Sequence, residues 1–168
     1  SFGYQLSVAL QKARLYGRHR EAAEIANALL DASRELATAE SPEEVLGRSV
    51  EVTARVLATE RASLWIQEEA EPRDLVGRAS VGYPADLDPA AGRRYPAAVA
   101  HEWLERAEPF ILEPAELATV DGVPQASIDR YVVAPLRLEG GRVGALVATI
   151  GDRFIVDRQL RLLAGLAH

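Results

Sequence analysis

From residue 4 to about residue 40 the chain runs without proline through YQLSVALQKARLYGRHREAAEIANALLDASRELATAE. Ala, Leu, Arg and Glu dominate it, and all are good helix formers, so the stretch predicts one long helical segment. Val8, Leu15, Ala22, Leu29 and Leu36 recur every seven residues, one of the two apolar tracks a coiled coil uses. The companion track of Gln11, Arg18, Ile25 and Ala32 is polar first and apolar later, so the seam is good only in its second half. Gly17 costs about 1 kcal/mol against Ala in a helix and marks the expected kink between two amphipathic pieces. At 1.5 Å per residue this segment would span about 55 Å. A body of ~130 residues has a radius of gyration near ~14 Å, so the first half must protrude. An exposed Val/Leu stripe seeks a partner, and pairing with a second copy through Val8, Leu15, Ala22, Leu29 and Leu36 is the expected solution.

Ser41-Pro42-Glu43-Glu44 opens a second helix, with Ser41 as cap, Pro42 at the first helical position and Glu44 placed for a capping box. It is expected to run to about Thr59 and to bury Val45, Leu46, Ser49, Val52, Thr53, Val56 and Leu57. The period then changes from helical to alternating. ASLWIQ (62–67) and RDLVGRASVGY (73–83) read as strands joined by the acidic turn EEAEP, and PADLDPAAG (84–92) reads as loop. Arg94-Tyr95-Pro96 is a short strand, AAVAHEWLERA (97–107) a helix striped by Val99, Trp103 and Ala107, and PFIL (109–112) another strand. Residues 113–129 give a helical turn and a loop broken at Gly122 and Pro124. YVVAPLRL and RVGALVATIG flank Glu139-Gly140-Gly141 as a β-hairpin, with Val132, Ala134 and Leu136 on one face and Tyr131, Val133 and Pro135 on the other. Both faces are apolar, so both must be covered. A last helix repeats apolar spacing through Phe154, Leu160, Leu163 and Ala167. The order predicts an α+β layer fold on a mainly antiparallel sheet.

Composition narrows the functions. Zero cysteines among 168 residues exclude, within this sequence, a disulfide framework, thiol catalysis, thiolate metal sites and any cofactor attached through sulfur. A net charge of −6 argues against a phosphate-backbone partner such as nucleic acid. No apolar run approaches the roughly 20 residues that cross a bilayer, and no signal-peptide pattern opens the chain, so a cytoplasmic module is expected. Arg outnumbers Lys 18 to 1 and there are 29 alanines, a bias read as that of a GC-rich bacterial genome. The Ser1 start and the absence of Met are read as marks of an excised unit.

Candidate chemistry is sparse. His19, His101 and His168 are far apart in sequence and form no metal set. The carboxylates Glu68-Glu69-Glu71 and Glu113/Glu116 read as solvated charge, because adjacent charges on a turn repel rather than converge. Gly140-Gly141 has no following helix to cradle a phosphate, and no Gly-X-Ser-X-Gly elbow is present. No catalytic constellation emerges.

Four passages, in order, carry a resemblance: ALLDASRELATAESPEEVLGRSVEVTARVLATERASLWIQ, HEWLERAEPFIL, YVVAPLRLEGGRVGALVATI and FIVDRQLRLLAGLAH. From about Ala22 onward the chain resembles a GAF domain, a ligand-binding and dimerising sensor module. Residues 1–20 look like the end of a preceding GAF domain or a signalling-helix linker, leaving 21–168 as the GAF domain proper. The resemblance implies a profilin- or PAS-like central antiparallel sheet of five to six strands. The N- and C-terminal helices would cover one face, and a roof of short helices and loops the other. It implies a ligand cavity under that roof, for which Tyr95, Val99, His101, Trp103, Phe110, Ile128 and Tyr131 are the candidates. An alternative reading makes these residues plain core.

Where many members carry glycine this chain has Ala98 and His101, which would narrow the pocket. The Asn-Lys-Phe-Asp-Glu set of cyclic-nucleotide binders is not recognisable, so cyclic GMP is not expected. His101 is the one residue placed to act as a haem ligand; a lone histidine beside Glu102 and Trp103 is more often a partly exposed polar residue, and no cofactor is expected. The implied function is a non-catalytic sensor domain of a bacterial signalling protein. It would bind a small molecule and relay its state through the terminal helices to an output domain elsewhere in the same polypeptide. A ligand-free scaffold for dimerisation and relay is the alternative.

Overall fold

The computed structural model describes residues 2–70, 72–120, 123, 128–155 and 157–167. Six strands form one sheet: β1 (Ala62–Gln67), β2 (Leu75–Val81), β3 (Arg94–Tyr95), β4 (Phe110–Leu112), β5 (Tyr131–Arg137) and β6 (Val143–Thr149). Their order is β3-β2-β1-β6-β5-β4, with every neighbouring pair antiparallel. The two short edge strands, β3 and β4, present little unpaired backbone, which is how sheets avoid edge-to-edge association. Among the described residues five α-helices accompany the sheet: α1 (Phe2–Ala37), α2 (Pro42–Val56), α3 (Ala97–Leu104), α4 (Pro114–Leu117) and α5 (Asp157–Leu166). The α+β architecture read from the sequence is the one observed. The hairpin turn Glu139–Gly141 is a short 3-10 turn with Gly140 at φ 74°, a value glycine adopts without a Cβ penalty.

Alternation along the central strands divides the core in two. Ala62 and Leu64 of β1, Val132, Ala134 and Leu136 of β5, and Leu146 and Ala148 of β6 face α2 and α5. Trp65, Val133 and Ala145 face the other way, toward α3 and α4. Val132 and Ala134 are fully buried and Val133 nearly so, which satisfies the expectation that both faces of the hairpin are covered.

The second helix ends three residues early, at Val56. Val52, Thr53 and Leu57 are buried as expected, Val50 and Ala54 join them, and Val45 is 37% exposed. Ser41 Oγ accepts from the Glu44 amide at 3.1 Å as expected of a cap. The returning Glu44 carboxylate accepts from the amide of Glu40 at 2.7 Å, one residue earlier than a capping box. That bond, with the Arg48 guanidinium second, holds the Glu44 carboxyl below its ordinary pKa. At the other end, Gln159 Nε2 donates to Leu57 O at 3.3 Å and the Arg153 guanidinium donates to Ala58 O, capping carbonyls that the helix leaves unpaired.

The first helix is a single element and continues unbroken through Gly17, so the expected division there is not observed. From Glu21 onward it packs on α5 and α2, with Ala32 buried and Ile25, Ala28, Leu29 and Leu36 half-buried. Glu21 meets Arg161 at 3.1 Å and Glu24 meets Arg158 at 3.5 Å. Leu29 lies directly over Gly165, where an added Cβ would stand 2.5 Å from Leu29 Cδ1. The sequence places Leu29 and Leu36 in an intermolecular seam; in the protomer they are committed in part to their own domain. Phe154, assigned above to the apolar face of the last helix, precedes α5 and is 87% exposed. Among the described residues no helix is long and apolar enough to cross a membrane.

Two glycines in α1 and α5 are expected to respond oppositely. A methyl added at Gly17 would meet nothing within 4 Å, so Gly17→Ala should raise stability by about 0.5–1 kcal/mol through helix propensity. Gly165→Val, driven into Leu29, should lower it by about 1–3 kcal/mol through overpacking. Paired thermal melts measure both.

Candidate functional site

On the face of the sheet opposite the terminal helices, residues 83–120 fold over β1, β2, β5 and β6 and leave a cleft beneath them. Three contacts hold this roof. Asp74, at the foot of β2, accepts from the Ala97 amide at 3.2 Å and so caps α3, whose own N-cap residue, Pro96, has no side chain able to do it. Arg94 pairs with Glu68 through Nη2–Oε1 at 2.9 Å, tying β3 to the end of β1. A 3-10 turn at Pro89–Ala91, capped by Asp88 Oδ1 on the Ala90 amide at 2.9 Å, sits on Gly77 of β2. A Cβ at Gly77 would lie 2.2 Å from Pro89 O, so only glycine admits the roof this close. The register shift between Leu64 and Trp65 falls opposite the same part of β2, a bulge that turns Arg78 out to solvent.

The cleft encloses about 630 Å³ with its open mouth included, while the cavity proper is about 50 Å³. Its floor is Trp65, Val133, Ala145 and Val147, and its roof is Tyr83, Leu87, Pro89 and Trp103. Tyr95 and Tyr131 stand between. Trp65 and Tyr95 are tilted rings with centroids 4.8 Å apart, and Trp103 meets Tyr95 edge-on at 5.8 Å. Such contacts contribute about 0.5–1.5 kcal/mol each beyond area burial. The buried Trp65 Nε1 donates to Ser63 Oγ at 2.9 Å, so the indole's one polar atom is satisfied inside the sheet. Among the described lining residues Arg93 is the one charged side chain; it also donates to the backbone oxygen of Asp86. Burial pushes the phenols of both Tyr95 and Tyr131 above their ordinary value, with neighbouring Tyr83 the second cause in each case. Both rings therefore meet an occupant as neutral hydrogen-bonding groups. No carboxylate or imidazole lines the cleft among the described residues, and Ser63 has no base beside it.

Of the seven residues expected to line the pocket, Tyr95, Trp103 and Tyr131 do so. Val99 is half-buried on α3 away from the cleft, and Ile128 is half-buried ahead of β5. Phe110 packs under the Arg106 guanidinium, 4.0 Å above its ring, at the sheet edge. His101 is 73% exposed, with Nε2 3.1 Å from Glu105 Oε1, and presents no ligand to the cleft. Neither His101 nor the exposed Ala98 narrows the pocket, because the roof helix turns both outward. His19 is exposed on α1, and His168 lies outside the described residues, as does the Gly122 break. Sequence reasoning missed the floor. The alternation in ASLWIQ and RVGALVATI marks Trp65, Ala145 and Val147 as one face, but nothing in the pattern says which face is roofed. Tyr83, Leu87, Pro89 and Arg93 come from an aperiodic loop that gives no signal.

No family model matches the sequence, and no curated protein matches it either. Solved structures do. The GAF domain of a phosphoenolpyruvate-protein phosphotransferase from Coxiella burnetii superposes with a TM-score of 0.68 at 18% identity, over 85% of this chain and 88% of that one. The corresponding GAF domain from Acinetobacter gives 0.66 at 15% identity, over 84% and 89%. The chromophore-binding domain of a Stigmatella aurantiaca phytochrome gives 0.64 at 15% identity, over 86% of this chain and 57% of that one. The fold is that of GAF domains.

The raised phenol pKa values have a stability consequence of definite sign. The unfolded chain ionises Tyr95 and Tyr131 at their ordinary value of 10.0, while the folded chain holds on to both protons at higher pH. Stability should be fully present below pH 10 and fall as pH rises beyond it, because there the unfolded state has lost protons that the folded state keeps. Difference absorbance of the native protein should show no loss of phenolate signal near pH 10 in Tyr131→Phe. A loss there would mean that Tyr131 is open to solvent.

Proposed function

We propose that this domain is a non-catalytic sensor module that takes up a small, largely apolar or aromatic molecule under its roof and signals occupancy to its terminal helices. The observation that carries the reading is a cleft walled by aromatic rings, whose floor strands carry α2 and α5 on their other face. A cavity of about 150 Å³ holds benzene, so an occupant of even that size must lift the roof from the 50 Å³ present here. Binding and roof movement are then one event. A ligand shifts an equilibrium only by its differential affinity, and here the open roof is the favoured state. The change reaches Leu163 of α5 through Ala134 and Leu146, and α1 through Gly165 against Leu29. The recipient is an output domain elsewhere in a longer bacterial signalling polypeptide, in the cytoplasm. One of the structural neighbours is named as a chromophore-binding domain; attachment of such a group through sulfur is excluded within this sequence, which has no cysteine.

One observation favours a second reading, a ligand-free scaffold: with the roof down, the cavity proper holds no more than a few waters. Intrinsic fluorescence separates the two, because the two tryptophans of the chain both line the cleft. Under the sensor reading, titration with indole, benzoate or short-chain fatty acids gives a saturable emission change for at least one probe. Ala145→Leu, which fills the floor, abolishes it without lowering the melting temperature. Under the scaffold reading no probe and no small-molecule extract changes the emission. Trp103→Ala gives an independent check. A partly buried wall residue should cost less than the ~3–5 kcal/mol of a truncated core aromatic, and a loss of that full size would favour the scaffold.

A further inference from the structure

The polar side chains that line the cleft are of one electrical kind. Besides the two indoles they are, among the described residues, the Arg93 guanidinium, the phenols of Tyr83, Tyr95 and Tyr131, and the Ser63 hydroxyl. All of them donate hydrogen bonds, and the guanidinium does nothing else. Asp129 acts electrostatically on the Tyr131 phenol but does not line the cleft, and its Oδ1 accepts from the Arg130 amide at 2.7 Å. Arg93 differs from the many surface arginines of this chain in being fixed at both ends. Its amide donates to Pro89 O at 3.2 Å and its carbonyl accepts from the Gly77 amide at 3.0 Å, so its backbone is tied to the seat of the roof on β2. Its Nη2 donates to Asp86 O, and the side chain is half-buried. A carbonyl is neutral, so that bond positions the guanidinium and takes none of its charge. Arg93 favours the phenolate of Tyr95, and Tyr83 acts on Tyr95 and Tyr131 alike, so the guanidinium and the phenols stand within electrostatic reach of one another.

We propose that the cleft takes a small organic acid, a monocarboxylate whose anion pairs with Arg93 and whose aromatic or aliphatic body lies among Trp65, Tyr95 and Trp103. The inference rests on the sensor reading and names its ligand class. A guanidinium presents its N–H groups in a planar fork that matches a carboxylate two bonds at a time, and the pair gains strength where water is excluded. The buried phenols remain neutral and add donors of their own. The three rings supply the apolar surface that a free guanidinium site would lack.

Two other classes of occupant compete. Ring faces attract organic cations, and aromatic walls alone would suit a quaternary ammonium. Arg93 opposes that cation with like charge, and no carboxylate among the described lining residues offsets it. A neutral molecule gains the ring contacts and forgoes the ion pair. The acid alone uses both. It also explains how occupancy becomes roof position: Arg93 belongs to the roof and Trp65 to the floor, so one molecule held by both sets the distance between the two layers.

Matched acids and amides test the ligand class on the full chain, with tryptophan emission as the readout. Benzoate against benzamide, and hexanoate against hexanamide, differ in charge and little in shape. At neutral pH the acid of at least one pair should bind at least about tenfold more tightly than its amide, a preference of about 1.4 kcal/mol. Arg93→Gln should remove that preference by weakening the acid alone. Arg78→Gln, which deletes the same charge from an exposed position on β2, should leave the ratio unchanged. If Arg93→Gln melts early, the ratio in the unaltered chain decides by itself. A smaller advantage in both pairs, or choline bound more tightly than either acid, overturns the ligand class and leaves the sensor reading standing. An acid preference that survives Arg93→Gln in a folded variant overturns the pairing with Arg93. Emission that responds to no acid, no amide and not to choline overturns the sensor reading and this inference with it.

Discussion

Three strands, β1, β6 and β5, bury side chains on both faces, and the rest of the molecule is arranged around that constraint. A strand that must be covered twice needs a layer on each side. The chain supplies α2 and α5 for one and the segment from Tyr83 to Val120 for the other. The two coverings differ in chemistry. Below, Val50, Leu57 and Leu163 are buried against small and branched side chains. Above, bulky rings meet a floor of Val133, Ala145 and Val147, and rings do not tile over small residues without gaps. The cleft is the remainder of that mismatch. It opens on the side where the covering is made of short elements and held at a few points.

The fold is legible in the sequence because its signals are periodic. The change from helical to alternating spacing near residue 60, the Ser41-Pro42 start and the paired hairpin strands each follow from local chemistry, and each stands where it is expected. The site is legible only in part, and the reason is geometric. Tyr95, Trp103 and Tyr131 announce themselves as aromatics near chain breaks, whereas Trp65 sits in a strand that reads as ordinary core from either side. Val99, Phe110 and Ile128 lie elsewhere than expected because a stripe on a short helix or an edge strand does not say which neighbour it meets. His101 misses the cleft for a related reason: with only eight residues in α3, a rotation of one position exchanges cleft for solvent.

The long helix teaches a different limit. A strict seven-residue repeat drifts by ~20° per heptad on a straight helix, so a track can begin on one side and end on another. The last members of the Val8–Leu36 track meet α5 and α2, so a repeat that reads as one intermolecular seam serves the domain's own packing at its end.

Gly77 carries a consequence beyond its own contact. The roof rests there with the Pro89 carbonyl against a bare Cα, so how close it comes is set by the absence of a side chain on β2. Asp88 and Arg94 hold the roof through their side chains, which releases Tyr83 and Leu87 from that duty. These two can be exchanged one at a time, changing what the cleft admits, while the seat at Gly77 stays the same. A fold with such a joint can diversify its lock without rebuilding its door.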